Sequence, residues 1–402
     1  MANKKYTDLE LYSLLNDTDN FIKNHPELTR NHILTLKRYY RKKGLIMEQE
    51  IGPNQEPTGR LYKTWEVSAF NKNTEEWETT TNHGYDYGNQ QQLSDFISQA
   101  DPVKITPSKR KPVQRDHNVI FAFSDSQIDY REIDGELHPI HDERALSVVR
   151  LMCQDLRPDM IVNLGDTVDL SALSRFDKDS NHFDHSMQPA FNRVHRLYAE
   201  LRADNPQSRI VEVDSNHNTR LKKFMLKNAS QLFGLKQAGH EEEYPVMSYP
   251  FLANLNAVNV EWVSGYGSAE LIYGEEYAAP PIVFKHGSLV GSNVANKEAN
   301  ANPYTHVVRG HTHRPEVSHR TMRNGHYLTY MIVGVTCSIE GDVPSVHSAV
   351  DDRNQVVKNQ EQWQQSVAVI NDYKDGTYQF DNVMINKGKA RYNGKEYNGN
   401  DQ

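Results

Sequence analysis

Five short polar motifs, each directly after an apolar β-like run, constrain this chain more than any other feature. In order they read SDSQ at 124–127, GDTVD at 165–169, SNHN at 215–218, KHG at 285–287 and GHTH at 310–313. Loops at the ends of strands can converge on one cleft while the sheet holds them rigid. The ordered set therefore predicts a single cleft lined by Asp, Gln, Asn and His side chains.

The part of the chain that carries these motifs alternates strand-like and helix-like segments. HNVIFAF at 117–123 is a buried-strand pattern, and ERALSVVRLMCQDL at 143–156 is an amphipathic helix with Asp142 available as its cap. Further strands and helices follow, and the end of the chain is rich in alternating, strand-like runs. We therefore expect a layered α/β domain over residues 117–390, followed by a frayed tail at 391–402.

The first third of the chain differs from the rest. Residues 1–50 predict short helices ending in the basic run KRYYRKK, which fits either a helix-turn-helix module or a small helical cap. Residues 51–116 predict a linker and a β-hairpin, because YKTWEVSAF and EEWETTT flank the polar turn NKNT. The basic stretch at 104–115 fits either a nucleic-acid contact or a solvated linker.

Composition narrows the class of protein. A net charge of −8 argues against a protein that coats nucleic acid, and no segment approaches the ~20 apolar residues that cross a bilayer. The first residues lack the apolar segment of a secretory signal. Cys153 and Cys337 are the only cysteines, so a disulfide framework is excluded. We expect a cytoplasmic protein with no membrane partner, and the sequence leaves its oligomeric state open.

The donor atoms of the motifs point to metal chemistry. Carboxylate, imidazole and amide oxygen together suit Mn²⁺, Fe or Zn²⁺, and the lack of thiolate donors argues against a structural zinc site. Two ions about 3.5–4 Å apart would clamp a phosphate and acidify a water molecule. In an extended GHTH loop, His311 and His313 can point to different ions.

The series of motifs resembles the calcineurin-like metallophosphoesterase superfamily, whose pattern is D-x-H, G-D-x-x-D, G-N-H-[DE], a lone His and G-H-x-H. The match covers roughly residues 118–345, and the wider chain resembles a phage-encoded branch. The resemblance implies a four-layer α/β sandwich of two mixed sheets flanked by helices, here with a small N-terminal helical module. It also implies two divalent metal ions, with Mn favoured over Fe, Zn or Ni, and hydrolysis of a phosphoester by hydroxide at the metals.

The resemblance also implies a role for each motif residue. The first metal would be held by Asp125, Gln127 and His313, the second by Asn216, His286 and His311, and Asp166 would bridge the two. His217 would face the scissile bond as a general acid or electrostatic stabiliser, and Asp169 would orient it.

Several positions depart from the family pattern. Gln127 stands where the pattern has a metal-binding His; its amide is a weaker donor, so the first site is expected to be looser or to prefer Mn²⁺. Ser215 and Asn218 replace residues that are not ligands. Leu170 stands where protein Ser/Thr phosphatases carry Arg, which argues against a phosphoprotein phosphatase. Arg220 fits either a contact to substrate phosphate or a surface salt bridge.

Three functions remain open from the sequence. A phosphodiesterase or nuclease acting on DNA or RNA is favoured by the metal site, the basic stretches and the helical module. A phosphatase or phosphodiesterase for nucleotides and other small molecules is favoured by the acidic segment 234–281, whose glutamates would repel a polyanion. A DNA-binding or assembly protein with a decayed phosphoesterase domain is supported only by Gln127 and Ser215.

Overall fold

The structure of the chain is a computed structural model. The structure describes residues 60–71, 76–86, 107–108, 113–133, 136–174, 186–241, 243–340 and 362–401. The chain divides into two compact units, Met1–Gln90 and Gln91–Gln402. The predicted helical module at 1–50 lies outside the described residues.

The first unit contains one described element, an antiparallel pair of strands. Strand β1 (Arg60–Asn71) pairs with β2 (Glu76–Asp86), with Val67 opposite Thr80. These strands form where the sequence predicts a hairpin, because both runs are rich in the Thr, Val and aromatic residues that favour extended backbone.

The second unit is built around two mixed sheets. The larger sheet has eight strands, which run from one edge to the other as β17 (Lys395–Asn398), β16 (Lys389–Tyr392), β15 (Tyr378–Asn386), β14 (Gln365–Asp372), β3 (Asn118–Phe123), β6 (Met160–Asn163), β7 (Arg209–Val213) and β8 (Val260–Val263). Strands β3, β6, β7 and β8 are parallel, whereas β14 and the strands beyond it are antiparallel to their neighbours.

The smaller sheet has five strands. Their order is β12 (Glu316–Thr321), β13 (Tyr327–Ile332), β11 (His306–Arg309), β10 (Ile282–Lys285) and β9 (Glu270–Tyr273). The three central strands are parallel, and the two edge strands are antiparallel to them. A separate ribbon pairs β4 (Tyr130–Ile133) with β5 (Glu136–Pro139).

Five helices are described in this unit. They are α1 (Glu143–Leu156), α2 (Met187–Asp204), α3 (Thr219–Asn228), α4 (Tyr249–Leu252) and α5 (Val294–Ala301). Helix α1 begins where the sequence predicts, because the Asp142 side chain accepts a hydrogen bond from the Arg144 amide at 3.0 Å. No helix in the described part of the chain is long and apolar enough to span a bilayer.

Three apolar clusters lie between the layers of this unit and pack them together. One packs α1, α2 and α3 against the larger sheet, through residues such as Leu146, Leu197 and Phe121. The second lies between the two sheets, and the third packs α5 against the outer face of the smaller sheet. The predicted four-layer α/β sandwich of two mixed sheets flanked by helices is therefore confirmed.

The end of the chain differs from the expectation of a frayed tail. Residues 391–402 include β17 and a 3-10 turn, Gly399–Asp401. The ring of Tyr397 is buried, and its hydroxyl donates to Asp155 of α1 at 2.7 Å. The prediction of fraying was wrong because the alternating run ARYNGKEY adds two strands to the edge of the sheet and covers α1.

Candidate metal centre

All five motifs lie at the carboxyl ends of strands that are parallel to a neighbour. The first three follow β3, β6 and β7 of the larger sheet, and the last two follow β10 and β11 of the smaller sheet. Backbone bonds tie the first two loops together, because the amide of Asp125 donates to Gly165 O at 3.0 Å and that of Gln127 to Asp166 O at 2.9 Å. The loops of the two sheets meet where the His311 amide donates to Asp125 Oδ2 at 3.0 Å.

One group of donor atoms surrounds the imidazole of His286. Its Nε2 lies 2.8 Å from Asn216 Oδ1, 3.1 Å from His311 Nδ1 and 3.3 Å from Asp166 Oδ2. Its other nitrogen, Nδ1, lies 2.9 Å from the carbonyl oxygen of Leu164 and so donates to it. That bond fixes the ring and turns the lone pair of Nε2 toward the other donors.

A second group contains the side chains assigned to the first metal. His313 Nε2 lies 3.1 Å from Asp125 Oδ1 and 3.4 Å from Gln127 Nε2. Ser124 Oγ donates to Asp125 Oδ2 and holds the carboxylate in place. The structure thus brings Gln127 into the group despite its departure from the family pattern.

The remaining predicted residues form a third, adjoining group. His217 Nδ1 lies 2.9 Å from Asp169 Oδ1, and the His217 amide donates to Asp166 Oδ1 at 2.9 Å. Arg220 donates to the carbonyl oxygen of Asp169 at 2.6 Å and lies 3.0 Å from His217 Nε2. Arg220 Nη1 also lies 3.5 Å from Asp169 Oδ1, so Arg220 forms an ion pair with this carboxylate besides its contact with the imidazole. A contact between Arg220 and a substrate phosphate stays a prediction.

The backbone at the centre is held in a costly conformation. Asp125, Gln127, Asp166, His311 and His313 all have positive φ, between 45° and 77°. Such left-handed geometry costs non-glycine residues of order 1 kcal/mol or more, and it persists only where surrounding contacts enforce it. Its concentration on these residues indicates that the loops are shaped to place side chains.

Gly165 is the one position in the second motif where a side chain is excluded. Its φ is +98°, and a Cβ there would lie 2.6 Å from the Cβ of Ser215 and 2.7 Å from Val213 O. This close approach lets Ser215 contact the second motif, because the Ser215 hydroxyl accepts a hydrogen bond from the Asp166 amide at 2.8 Å. The serine that departs from the family pattern therefore positions the proposed bridging carboxylate.

The charges of the centre shift one another's ionisation. Burial acts to raise the pKa of Asp166, but the imidazoles of His217 and His286 outweigh it and hold that pKa well below its ordinary value. Burial opposes the charged form of His286, yet Asp166 and Asp125 raise its pKa. Burial and the neighbouring His286 lower the pKa of His311 to about 4. The centre therefore favours ionised carboxylates and a neutral His311 imidazole, which keeps one nitrogen lone pair available.

The group around His286 fits a divalent cation better than a proton. A proton on Nε2 could serve only one of the three facing atoms of Asn216, His311 and Asp166. Ligands about 2.1 Å from an ion in an octahedral arrangement lie roughly 3 Å apart, close to the separations seen here. Ligand atoms of Asp166, His286 and His311 all lie within 4.8 Å of one another. The donor set thus fits a bound metal.

Sequence reasoning missed two residues that shape the centre. The ring of Trp363 packs edge-on against His313, with centroids 4.0 Å apart at 82°. Glu212 on β7 is fully buried beneath the loops; its carboxylate accepts from Thr167 at 2.6 Å and from Asn218 at 3.1 Å. Trp363 has no motif around it, but the acid inside the apolar run RIVEV was a visible signal.

No protein-family model matches the chain, and no curated protein matches it. Among solved structures it is similar to Yfce, a phosphoesterase from E. coli, at 11% identity and a TM-score of 0.27, with 67% of this chain and 100% of that chain covered. It is similar to purple acid phosphatase PPD1 from yellow lupin (Lupinus luteus) seeds, at 9% identity and a TM-score of 0.33, with 82% and 58% covered. It is also similar to TT1561 of Thermus thermophilus, at 10% identity and a TM-score of 0.24, with 66% of this chain and 99% of that chain covered. Likenesses this distant carry no statement about activity, which has to follow from the side chains.

Proposed function

We propose that this chain is a metal-dependent phosphoesterase of the calcineurin-like type, and that it hydrolyses phosphodiester bonds in nucleic acid. One observation carries the proposal: side-chain atoms of Asp166, Asn216 and His311 all lie within 3.3 Å of His286 Nε2. Buried oxygen and nitrogen acceptors facing one another are costly without a shared cation. Such a cluster, next to a carboxylate-paired imidazole, suits hydrolysis of a phosphate ester.

Each proposed ligand keeps the role that the family resemblance gives it. Asp125, Gln127 and His313 would hold the first ion, Asn216, His286 and His311 would hold the second, and Asp166 would contribute to both. Bound divalent ions would supply positive charge beside the phosphate oxygens and acidify the attacking water. The oxygen-rich first group, with an amide in place of an imidazole, favours Mn²⁺.

His217 is the proposed acid or electrostatic stabiliser. Its Nδ1 faces Asp169, so the carboxylate fixes the ring with Nε2 toward the cleft. The Arg220 guanidinium lies 3.0 Å from His217 Nε2 and can donate a hydrogen bond to it. A substrate phosphate would compete with His217 for the Arg220 guanidinium and would free Nε2 to interact with the leaving oxygen. Burial acts to raise the pKa of Asp169, but His217 and Arg220 outweigh it and keep that pKa below its ordinary value.

The preference for nucleic acid is the finer part of the proposal. It is supported by the resemblance of the wider chain to a phage-encoded branch and by the basic runs of the sequence. The run at 37–43 lies outside the described residues. In the run at 104–115, the side chain of Arg115 donates to Leu156 O, so this residue has a structural contact.

The proposal is tested by hydrolysis of bis(p-nitrophenyl) phosphate with Mn²⁺. We expect Asp166→Asn to abolish turnover, because the bridging carboxylate loses its charge. Asp375→Asn is the matched control, since Asp375 lies in the exposed turn between β14 and β15. Wild-type turnover retained by Asp166→Asn in a folded protein would refute the proposed mechanism.

A small phosphate ester is the second candidate substrate. Its specific support is the exposure of Glu241, Glu275 and Glu276, which would repel a polyanion. A substrate panel with Mn²⁺ separates the candidates: single- and double-stranded DNA, RNA, cyclic nucleotides and phosphomonoesters. Elemental analysis tests the decayed-domain alternative, because a metal-free, inert protein is what that alternative requires.

A further inference from the structure

Helix α3 and the segment after it form a basic stretch of the described chain. Between Thr219 and His240 the sequence holds no Asp or Glu, and its cations are Arg220, Lys222, Lys223, Lys227 and Lys236. Arg220 forms an ion pair with Asp169, so the four lysines supply the positive charge of this surface in a protein with a net charge of −8. A local basic surface on an acidic protein marks a place where a polyanion can bind.

The exposed face of α3 and the segment after it also carry exposed apolar side chains. Only Leu221 and Met225 of this helix are buried, one turn apart, and they attach it to the core. Phe224 is 47% exposed, and Phe233 in the following segment is 46% exposed. Lys222 Nζ lies 5.9 Å from the centre of the Phe233 ring, so the segment folds back beside the helix. We call the exposed residues of 222–236 the α3 surface.

The α3 surface begins at the candidate centre. Thr219, its first helical residue, is two positions after His217, and the Thr219 hydroxyl donates to Asn216 O at 2.8 Å. Arg220 in the first turn contacts His217. A ten-residue helix extends about 15 Å from this point, so a chain of phosphates could leave the cleft along it.

We infer that the α3 surface is the track on which single-stranded nucleic acid enters the centre, an inference that rests on the proposed function. Lysines neutralise the phosphates, and exposed rings stack on unpaired bases, whose faces a duplex hides. At 3.6 residues per turn, Leu226 and Phe224 lie on opposite sides of the exposed face with Lys223 and Lys227 between them. Lysines interspersed with rings fit a strand of alternating phosphates and bases, whereas a membrane-surface helix needs one continuous apolar face.

The test measures binding without hydrolysis. Anisotropy of a fluorescein-labelled 16-nucleotide oligo-dT would be followed in EDTA, at salt concentrations from about 50 to 200 mM. We expect Lys222→Gln/Lys223→Gln/Lys227→Gln to weaken binding at least tenfold at low salt. The slope of log Kd against log salt should fall by about 2, because single strands contribute roughly 0.7 for each phosphate neutralised.

The matched control is Lys374→Gln/Lys387→Gln/Lys389→Gln. It makes the same change in net charge on exposed residues at the other end of the larger sheet. We expect this control to change binding less than twofold. Phe224→Leu/Phe233→Leu should weaken binding about fivefold to tenfold with an unchanged salt slope, because it removes stacking and keeps the charges.

The outcomes separate this inference from the function on which it rests. Hydrolysis of bis(p-nitrophenyl) phosphate should be unchanged in all three variants, because that ester is too small to reach the α3 surface. Equal loss of oligo-dT binding in the two lysine variants, or no wild-type binding at low salt, would overturn the inference. Tighter binding of phosphatidylglycerol vesicles than of oligo-dT would also overturn it. Normal oligo-dT binding in a protein that hydrolyses no ester would instead overturn the proposed function.

Discussion

The imidazoles of His286 and His311 face each other, with Nε2 of the first 3.1 Å from Nδ1 of the second. Because Nδ1 of His286 donates to Leu164 O, the ring presents its other nitrogen to the centre. Two imidazole nitrogens directed at one point, with the Asp166 carboxylate beside them, are complementary to a cation. This pair therefore gives the most direct test of the metal centre.

Binding of Mn²⁺ should stabilise the protein through this pair. An ion present at 100 to 1,000 times its dissociation constant adds about 3–4 kcal/mol, if it binds only the folded chain. We expect a rise in Tm on adding Mn²⁺ to metal-free protein, and we expect His286→Ala to lose most of it. His326→Ala, at an exposed position, should keep it. An unchanged Tm in wild type would contradict the proposed site.

Gln127 offers a test of the weaker first site. Its side chain lies 3.4 Å from His313 Nε2, within reach of an ion held by His313 and Asp125. Imidazole is a better donor than a carboxamide to a transition metal. Gln127→His should tighten the weaker Mn²⁺ site about tenfold in calorimetric titration, and Gln127→Ala should loosen it. If both substitutions leave that affinity unchanged, Gln127 is not a ligand.

The layered fold was predictable because its signals are local. Apolar runs followed by polar motifs indicated strands whose end loops meet at one cleft, and the amphipathic pattern with Asp142 at its start indicated α1. The grouping of the motif residues was predictable for the same reason, since each lies at a strand end.

Contacts that depend on the assembled fold could not be predicted in this way. Trp363 reaches His313 only because β14 lies beside β3, and no local pattern encodes that neighbourhood. The error at the C-terminus has the same origin, because the last strands are stable only against the sheet edge and α1. The inward direction of Arg220 also depends on Asp169, 51 residues earlier in the chain.

The contact between Asp169 and His217 should govern turnover more than substrate binding. Asp169→Asn keeps the shape of the side chain but removes the charge that fixes the imidazole tautomer. We expect kcat for bis(p-nitrophenyl) phosphate to fall about 100-fold, a typical contribution of a positioned acid or base, with KM nearly unchanged. Mn²⁺ stoichiometry should stay at the wild-type value. Loss of metal along with activity would show that Asp169 supports the ligands instead.

Gly310 should tolerate no side chain. A Cβ at this position would overlap Ser124 Oγ and Asp125 Oδ2, which are held against the loop that carries His311. Gly310→Ala should displace the Asp125 carboxylate and reduce Mn²⁺ binding and turnover at least tenfold. Gly325→Ala provides the comparison, because Gly325 has positive φ but open space around it. Full activity in Gly310→Ala would show that the two loops are not tightly opposed.

Glu212 should make stability fall as pH rises. Its carboxyl is fully buried and accepts from the hydroxyls of Thr167, Tyr198 and Tyr249; burial raises its pKa from 4.5 to about 7. Between these values the folded chain keeps a proton that the unfolded chain has lost. Stability from the neutral acid is therefore present below about pH 4.5 and is lost as pH rises toward 7.

A variant that cannot ionise isolates this effect. Between pH 4.5 and pH 8, the free energy of unfolding of Glu212→Gln should gain about 3 kcal/mol relative to wild type, at 1.36 kcal/mol per pH unit. Urea denaturation at the two pH values measures the change. Glu261→Gln removes a half-exposed ion pair with Arg209, and its unfolding free energy relative to wild type should change little between the two pH values. If the difference in unfolding free energy between Glu212→Gln and wild type is the same at both pH values, the pKa of Glu212 is not raised in the folded chain. The four hydrogen-bond donors, Thr167, Tyr198, Asn218 and Tyr249, would then keep the carboxylate ionised against the effect of burial.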